Sequence, residues 1–188
     1  MARVPYLSKD DLAPDKRDFY DEIAGPRGHV ARPFEAMLNS PEVAARVAAV
    51  GQQLRYVSAS ISAEVREIVT LTAARRLRCQ YLWTHHWASA AEAGVREDVR
   101  AAIRDESPTS LLQPREGVFV QFARELLGDA RVRDATYSAV EHLIGQAGAA
   151  DLVLTIGYYA LLCHAINGLG VELEEGVAPL LPEADAPP

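Results

Sequence analysis

The sequence predicts an all-α fold, a helical bundle, on three observations. Proline and glycine are sparse inside the chain, so the segments between them are long. Ala, Leu, Arg and Glu dominate these segments, and such residues favour helix over sheet. No alternating apolar and polar run bounded by hairpin dipeptides is present, so little or no strand is expected.

The first three helices are recognised from their apolar periodicity and their end signals. A helix from about Asp10 to Ile23 carries an apolar stripe and stops before a Gly-Pro pair. A linker occupies residues 25–33, and Phe34 to Leu38 form a short helix. Pro41 then starts an amphipathic helix that continues through Leu54, with Ser40 as its cap, since proline suits the first helical position.

The remaining helices follow with short connections, as in a bundle. Ser62 is the expected cap of the fourth helix, which runs to about Leu77 with glutamates in its early turns, where the helix dipole favours negative charge. The next helix, Cys79 to Ala93, stops at Gly94. The last helices are predicted at Arg96 to Asp105, Arg115 to Leu127, Asp134 to Gln146 and Ala149 to Leu169.

The length of the chain favours one folded domain. A chain of 188 residues and 20.5 kDa buries a sizeable core, and a second catalytic domain is not expected. We predict an N-terminal helix and linker arm at residues 1–30, a helical domain at residues 31–180 and a flexible tail at residues 181–188.

Charge and cysteine content restrict the partners and the compartment. The net charge is -7, and the 19 Lys and Arg residues are scattered, so nucleic acid is not an expected partner. Two cysteines, Cys79 and Cys163, and an N-terminus without an apolar signal segment predict a reducing cytoplasm.

One uncharged segment has the length of a membrane span. Residues 152–171 contain no Asp, Glu, Lys or Arg, and about 20 such residues suffice to cross a bilayer. Polar residues interrupt the segment, among them Thr155, His164 and Asn167, and acidic residues flank it, which gives no positive-inside signal. We therefore predict no membrane contact and a helix buried in the core or between subunits.

Three residues are candidates for catalysis. Cys79 and His86 are seven positions apart, so a helix places their thiol and imidazole on one face. Glu67 lies on the preceding helix and reaches His86 if the chain folds back at residues 78–79, which would give a Glu/His/Cys proton relay. The alternative is that Cys79 is a small buried hydrophobe and Glu67 a solvated surface group.

Other polar and aromatic residues are candidates for binding. Tyr81 and Trp83, with Trp87, either wall a small pocket or belong to the core. His85 and His86 are adjacent and point about 100° apart, so they do not share one ion, and neither a metal nor another cofactor is predicted. Arg27 can approach an anionic ligand, while Cys163 is interpreted as core in preference to a partner of Cys79.

The motif residues resemble a known family. Glu67, then Cys79-Gln80-Tyr81-Leu82-Trp83 with His86 and an Ala-rich stretch to Val95, is similar to the carboxymuconolactone decarboxylase and alkylhydroperoxidase D-like superfamily. Segments at residues 33–42 and 157–167 also resemble its decarboxylase-like branch, so the resemblance covers about residues 32–176.

This resemblance implies an all-α alkylhydroperoxidase D-like fold and an obligate homo-oligomer, a dimer, trimer or hexamer, with sites near subunit contacts. The peroxidase branch has Cys-x-x-Cys-x-x-x-His, and here Leu82 replaces the second cysteine, so a disulfide cycle within the motif is excluded. The decarboxylase-like branch more often has a glutamate at that position, so Leu82 also removes an acidic group.

Three functions remain open from the sequence. The first is a cofactor-free lyase, decarboxylase-like, or an isomerase of a small carboxylated lactone or oxo acid, with His86 and Glu67 moving protons. The second is a thiol-based peroxidase in which Cys79 reacts with peroxide. The third is a non-catalytic oligomeric protein that binds ligands. Tyr81, Trp83, His85 and Arg27 are the predicted substrate-binding residues.

Overall fold

The computed structural model describes residues 2–25 and 28–182, and within these ranges it contains helices and turns but no strand. The predicted all-α helical bundle is confirmed for this part of the chain. Its eight α-helices are α1 (Arg17–Ala24), α2 (Arg32–Met37), α3 (Pro41–Gln52), α4 (Ala63–Arg76), α5 (Gln80–Glu92), α6 (Glu97–Arg104), α7 (Pro114–Asp129) and α8 (Asp134–Leu169).

Two helix boundaries differ from the prediction. Helix α1 begins at Arg17 and not near Asp10, because the residue before Pro14 is extended and Pro14 opens a short 3-10 turn. The two helices predicted after residue 134 are both present and meet at a kink inside α8, close to the predicted break after Gln146, with no linker between them. Gly145, at φ 73° and ψ 172°, bends α8 without a linker, a conformation that glycine adopts at little cost.

The core is centred on α4. This helix packs against α5, α7 and α8, and nine of its residues are buried, so it is enclosed on most sides. A second group of buried apolar residues joins α1 and α3, with Phe34 and Met37 of α2 packed against both groups. Glu67 is thereby placed inside the bundle and not on its surface.

A tight turn folds α5 back onto α4. Arg78 has φ 50°, in the left-handed region that non-glycine residues seldom occupy. The Cys79 N–H donates to the Ala74 carbonyl oxygen at 2.8 Å, which closes the end of α4 as a helix C-cap. From α8, Asn167 donates through Nδ2 to the Leu77 carbonyl oxygen at 2.8 Å and fixes the turn. The fold-back expected at residues 78–79 is therefore present.

Helix α8 is long and apolar enough to cross a membrane by length and composition. Half of its apolar window is buried within the protein, as in the core helix of a globular bundle, so this feature is weak evidence for a membrane span. Large apolar side chains remain exposed on α8 and on the neighbouring α3, namely Leu154, Leu161, Val43 and Val50. The homo-oligomer stays a prediction.

Both chain ends lie on the helical body where they are described. The Arg3 N–H donates to the Leu169 carbonyl oxygen at 2.8 Å, and α1 packs on α3. At the other end, Leu181 is buried and the Leu180 N–H donates to Thr84 Oγ1 at 3.1 Å. The domain limits at residues 30 and 180 stay predictions, and residues 183–188 of the predicted tail lie outside the described residues.

A buried carboxylate joins the end of α7 to the start of α8. Burial alone would raise the pKa of Glu125, but hydrogen bonds from the Arg133 backbone, the Gln121 amide, the Arg133 guanidinium and the Thr136 hydroxyl lower it to about 2. Since the pKa in the folded state lies below the ordinary value of 4.5, this stabilisation is complete above about pH 4.5 and is lost as the pH falls toward 2.

We expect Glu125→Gln to lower the free energy of unfolding at pH 7 by about 1–3 kcal/mol, because the charge-assisted hydrogen bonds are lost. The stability difference from the wild type should shrink as the pH falls below 4.5. Urea unfolding at pH 7 and pH 3.5 measures this stability difference. Glu141→Gln, a substitution on α8, is the control. A difference of the same size at both pH values would contradict the assignment.

Candidate active site

Glu67 and His86 form a buried pair across α4 and α5. His86 Nδ1 and Glu67 Oε2 are 2.7 Å apart, and both side chains are more than nine-tenths buried. The carboxylate can only accept from Nδ1–H when it is ionised, so it fixes which ring nitrogen carries the proton and how the ring is turned. No other described residue makes a hydrogen bond to Nε2. The geometry predicted for Glu67 and His86 is therefore present.

His86 lines a cavity of about 280 Å³ between α2, α3, α5 and α8. This volume lies just below the range typical of sites for drug-sized ligands, so the cavity fits a small molecule. Apolar and aromatic side chains make most of its wall, and α5 presents Tyr81, Leu82, His85, His86 and Ser89 to it. Those positions repeat at helical spacing, so one face of α5 is the wall of the cavity.

Arg55 and Tyr159 lie on the wall of the same cavity. Arg55 belongs to a π-helical turn, Gln53–Val57, that follows α3, and such turns are frequent at functional sites. Its Nη1 donates to the Tyr159 hydroxyl at 2.8 Å. The Tyr159 ring meets the His86 ring edge-on, with centroids 5.4 Å apart. Burial raises the pKa of Tyr159, so the phenol is neutral and available as a donor.

Gly51 gives Tyr158 room at the cavity. A Cβ atom at position 51 of α3 would lie 2.1 Å from the Tyr158 hydroxyl oxygen, a distance that real contacts do not reach. The absence of a side chain on α3 therefore lets this second tyrosine of α8 lie against it, beside the cavity wall.

The C-terminal segment contributes a carboxylate beside Tyr81 and His85. Glu174 accepts from the Tyr81 hydroxyl at 2.7 Å and lies 2.8 Å from His85 Nε2. Burial alone would raise the pKa of Glu174, but the hydrogen bonds from Tyr81 and His85 lower it. Burial and the Glu174 hydrogen bond both raise the pKa of Tyr81. Glu174 therefore fixes two of the predicted binding residues in the cavity wall.

Cys79 does not line the cavity. It is the N-cap residue of α5, fully buried, and its partner is the equally buried Cys163 of α8. The Cys163 thiol lowers the pKa of Cys79 against the effect of burial, with help from the backbone N–H groups of Leu82 and Tyr81. The Cys79 thiol and burial raise the pKa of Cys163. Cys163 is buried, as the core interpretation expects, but it also contacts Cys79.

The other predicted binding residues are outside this wall. Trp83 is fully buried on the opposite face of α5, packed against Trp87 with centroids 5.2 Å apart, and its Nε1 has no hydrogen-bond partner among the described residues. Its position agrees with the core alternative for this aromatic cluster. Arg27 lies outside the described residues.

Sequence reasoning missed Arg55, Gly51 and Glu174. Arg55 is one of many scattered arginines, and Glu174 meets α5 across more than 80 positions of the sequence. Tyr159 was noticed only as part of the resembling segment at residues 157–167. Across residues 2–25 and 28–182, no three His, Cys, Asp or Glu side chains are grouped as metal ligands.

The motif residues of the site all fall inside a stretch that matches a known family. Residues 41–125 match the carboxymuconolactone decarboxylase family. The resemblance inferred from Glu67, Cys79 and His86 is thereby confirmed. A comparison with curated protein sequences finds no match.

Solved structures show the same fold as this chain. An alkylhydroperoxidase AhpD core protein, peroxidase-related, from Ralstonia eutropha JMP134 is 19% identical, with a TM-score of 0.73 over 95% of this chain and 98% of that one. A peroxidase-related protein from Silicibacter sp. TM1040 is 16% identical, with a TM-score of 0.73 over 94% and 93%.

A third structure with this fold is the debrominase Bmp8, in a complex with 2,3,4-tribromopyrrole. It is 14% identical, with a TM-score of 0.71 over 92% of this chain and 91% of that one. At these identities the three structures establish an AhpD-like helical fold for this chain. They do not assign its reaction.

Proposed function

We propose that this protein is a cofactor-free lyase or isomerase that moves protons at a carbon next to a carbonyl group of a small carboxylated lactone or oxo acid. The observation that carries the proposal is the 2.7 Å contact of His86 Nδ1 with Glu67, which leaves Nε2 as the free ring nitrogen of a buried imidazole that lines the cavity. The match of residues 41–125 to the decarboxylase family supports it.

His86 is the acid and base in this proposal, and Glu67 orients it. With Nδ1–H donated to Glu67, Nε2 of neutral His86 holds a lone pair and can accept a proton from substrate carbon. The resulting imidazolium remains next to the Glu67 carboxylate, which stabilises its charge. Glu67 is not a wall residue of the cavity, so it acts on the substrate through His86.

The two reactions share one intermediate. In isomerisation, Nε2 removes a proton to leave an enolate and returns it to another carbon. In decarboxylation, the bond to the carboxylate carbon breaks, its electron pair enters the enolate, carbon dioxide leaves, and protonated His86 delivers one proton to carbon. His86 then recovers that proton from water. Neither sequence consumes an oxidant or a reductant.

A deuterium experiment tests the proposal. The protein is incubated in D2O with a panel of carboxylated γ-lactones and 3-oxo acids, each with a ¹³C carboxyl group, and followed by NMR. We expect deuterium at the carbon next to the carbonyl, or release of labelled carbon dioxide, from at least one compound. The exposed-histidine control, His142→Gln, should behave as the wild type. No exchange and no release from any member of the panel would overturn the proposal.

A thiol peroxidase is the second candidate, and the contact between Cys79 and Cys163 favours it. Oxidation by a hydroperoxide would form a disulfide and release an alcohol and water. Against it, both thiols are fully buried, and Cys79 does not line the cavity. Intact mass spectrometry after treatment with hydrogen peroxide distinguishes the two candidate functions, with Cys79→Ser as the control. Rapid loss of two hydrogens by the wild type alone would favour the peroxidase.

A further inference from the structure

Arg55 is the permanent positive charge in the wall of the His86 cavity. The cavity wall contains no aspartate or glutamate among the described residues. Glu67, the carboxylate behind His86, is already engaged with Nδ1 and is beyond ion-pair distance of Arg55. Arg55 is therefore the permanently charged side chain that a ligand in this cavity meets.

Arg55 differs from several other arginines of the described chain, because no ion pair joins it to a carboxylate. Arg46, Arg76, Arg96, Arg104 and Arg133 each pair with a carboxylate. The side-chain partners of Arg55 are instead the phenols of Tyr159 and Tyr56. A guanidinium has five N–H donors in a planar fork, so a phenol contact leaves donors for a carboxylate.

The surroundings of Arg55 hold it as a cation although it is partly buried. Burial alone would lower its pKa, but Tyr159, Tyr56 and Glu67 raise it. A cation removed from water without a carboxylate partner is costly, and binding of an anion offsets that cost. The ligand that would supply this anion must enter the cavity that His86 lines.

The link through Tyr159 sets the position of such a ligand. Tyr159 binds Arg55 through its hydroxyl and packs its ring edge-on against His86, so one rigid side chain separates the cation from the imidazole. A carboxylate on Arg55 thus places the carbon skeleton of a small acid beside His86.

We propose that Arg55 binds the carboxylate of the substrate and restricts the cavity to small anionic acids. The inference rests on the proposed function for the identity of the reacting group, His86, and adds the residue that selects and orients the substrate. Arg55 is then a determinant of specificity, and neutral lactones of the same shape are excluded because they leave the guanidinium without an anion.

Binding without turnover tests this directly. The probes are 5-oxotetrahydrofuran-2-carboxylate and the neutral γ-butyrolactone, and calorimetry measures their affinity for the wild type, Arg55→Gln and Arg55→Lys. We expect Arg55→Gln to weaken binding of the carboxylate by roughly 10- to 100-fold, and Arg55→Lys, which keeps the charge but loses the fork, by less. Arg46→Gln, an exposed arginine on α3, is the control and should bind as the wild type.

Two results would overturn the inference. One is a wild type that binds the carboxylate no better than the neutral lactone, and the other is an Arg55→Gln protein that melts at the wild-type temperature and binds the carboxylate equally well. If Arg55→Gln does not fold, Arg55→Lys decides the question. Weaker binding of the carboxylate than in the wild type supports the inference, and equal binding overturns it. Selective binding without deuterium exchange would refute the proposed function alone, whereas exchange with an unchanged KM in both variants would refute this inference alone.

Discussion

His86→Gln is expected to lower turnover by roughly 10²- to 10⁴-fold, the range that general acid and base catalysis contributes. The reason is that, in the proposed mechanism, the free Nε2 of His86 exchanges a proton with carbon, while the amide of glutamine cannot. Glu67→Gln should lower turnover in the same direction, because the uncharged amide neither fixes the imidazole with Nδ1–H nor balances an imidazolium. Initial rates of deuterium exchange measure both effects.

A variant that carries both substitutions tests whether Glu67 acts only through His86. Glu67 acts through His86, so His86→Gln with Glu67→Gln should be no slower than His86→Gln alone. The matched control is Glu116→Gln, another buried glutamate, which lies on α7 and pairs with Arg96 away from the cavity. Multiplicative losses in the double variant would show that Glu67 contributes independently of His86, and unaltered exchange in His86→Gln would remove His86 from the mechanism.

Leu82→Cys is expected to create a peroxide-sensitive thiol where the wild type has none. Leu82 lines the cavity one helical turn before His86, so a thiol there gains an imidazole neighbour and access to small molecules. It also completes a Cys-x-x-Cys pair with Cys79. Hydrogen peroxide should convert the two thiols to a disulfide with release of two waters, at least about tenfold faster than any oxidation of the wild type.

Mass spectrometry with thiol alkylation measures this prediction. Leu82→Cys should lose two hydrogens, and a peptide linked between positions 79 and 82 should be recovered. Cys79→Ser in the Leu82→Cys background should gain oxygen instead, as a sulfenic acid without a resolving thiol. Leu82→Ala is the control for the space opened by removing the leucine. Equal oxidation rates in Leu82→Cys and the wild type would contradict the placement of Leu82 at the cavity.

The Glu67 and His86 pair could be predicted because its determinants are local. Helical spacing places His86, and the only condition was a fold-back at residues 78–79, which the left-handed Arg78 provides. Cys79 was expected on the same stripe, but it caps α5 with extended backbone angles, so helical periodicity does not reach it. Its thiol consequently lies in the core beside Cys163.

The rest of the site depends on contacts between distant segments. Arg55 reaches Tyr159 across more than 100 residues, and Glu174 reaches His85 across nearly 90. No periodicity within one helix encodes such pairings. Within one helix, periodicity also leaves a choice open. Tyr81 and Trp83 lie on different faces of α5, one lining the cavity and the other in the core. The sequence of α5 does not tell which face packs against the core.

The cavity wall is built from both sides of residue 125. The residues assigned to proton movement, Glu67 and His86, lie inside the stretch of residues 41–125 that matches the family, whereas Tyr159 and Glu174 lie beyond it. Substitutions after residue 125 can therefore change the part of the wall that α8 supplies while Glu67 and His86 stay unchanged. Proteins that share the matched stretch can therefore differ in the side chains that α8 and the C-terminal segment bring to the cavity.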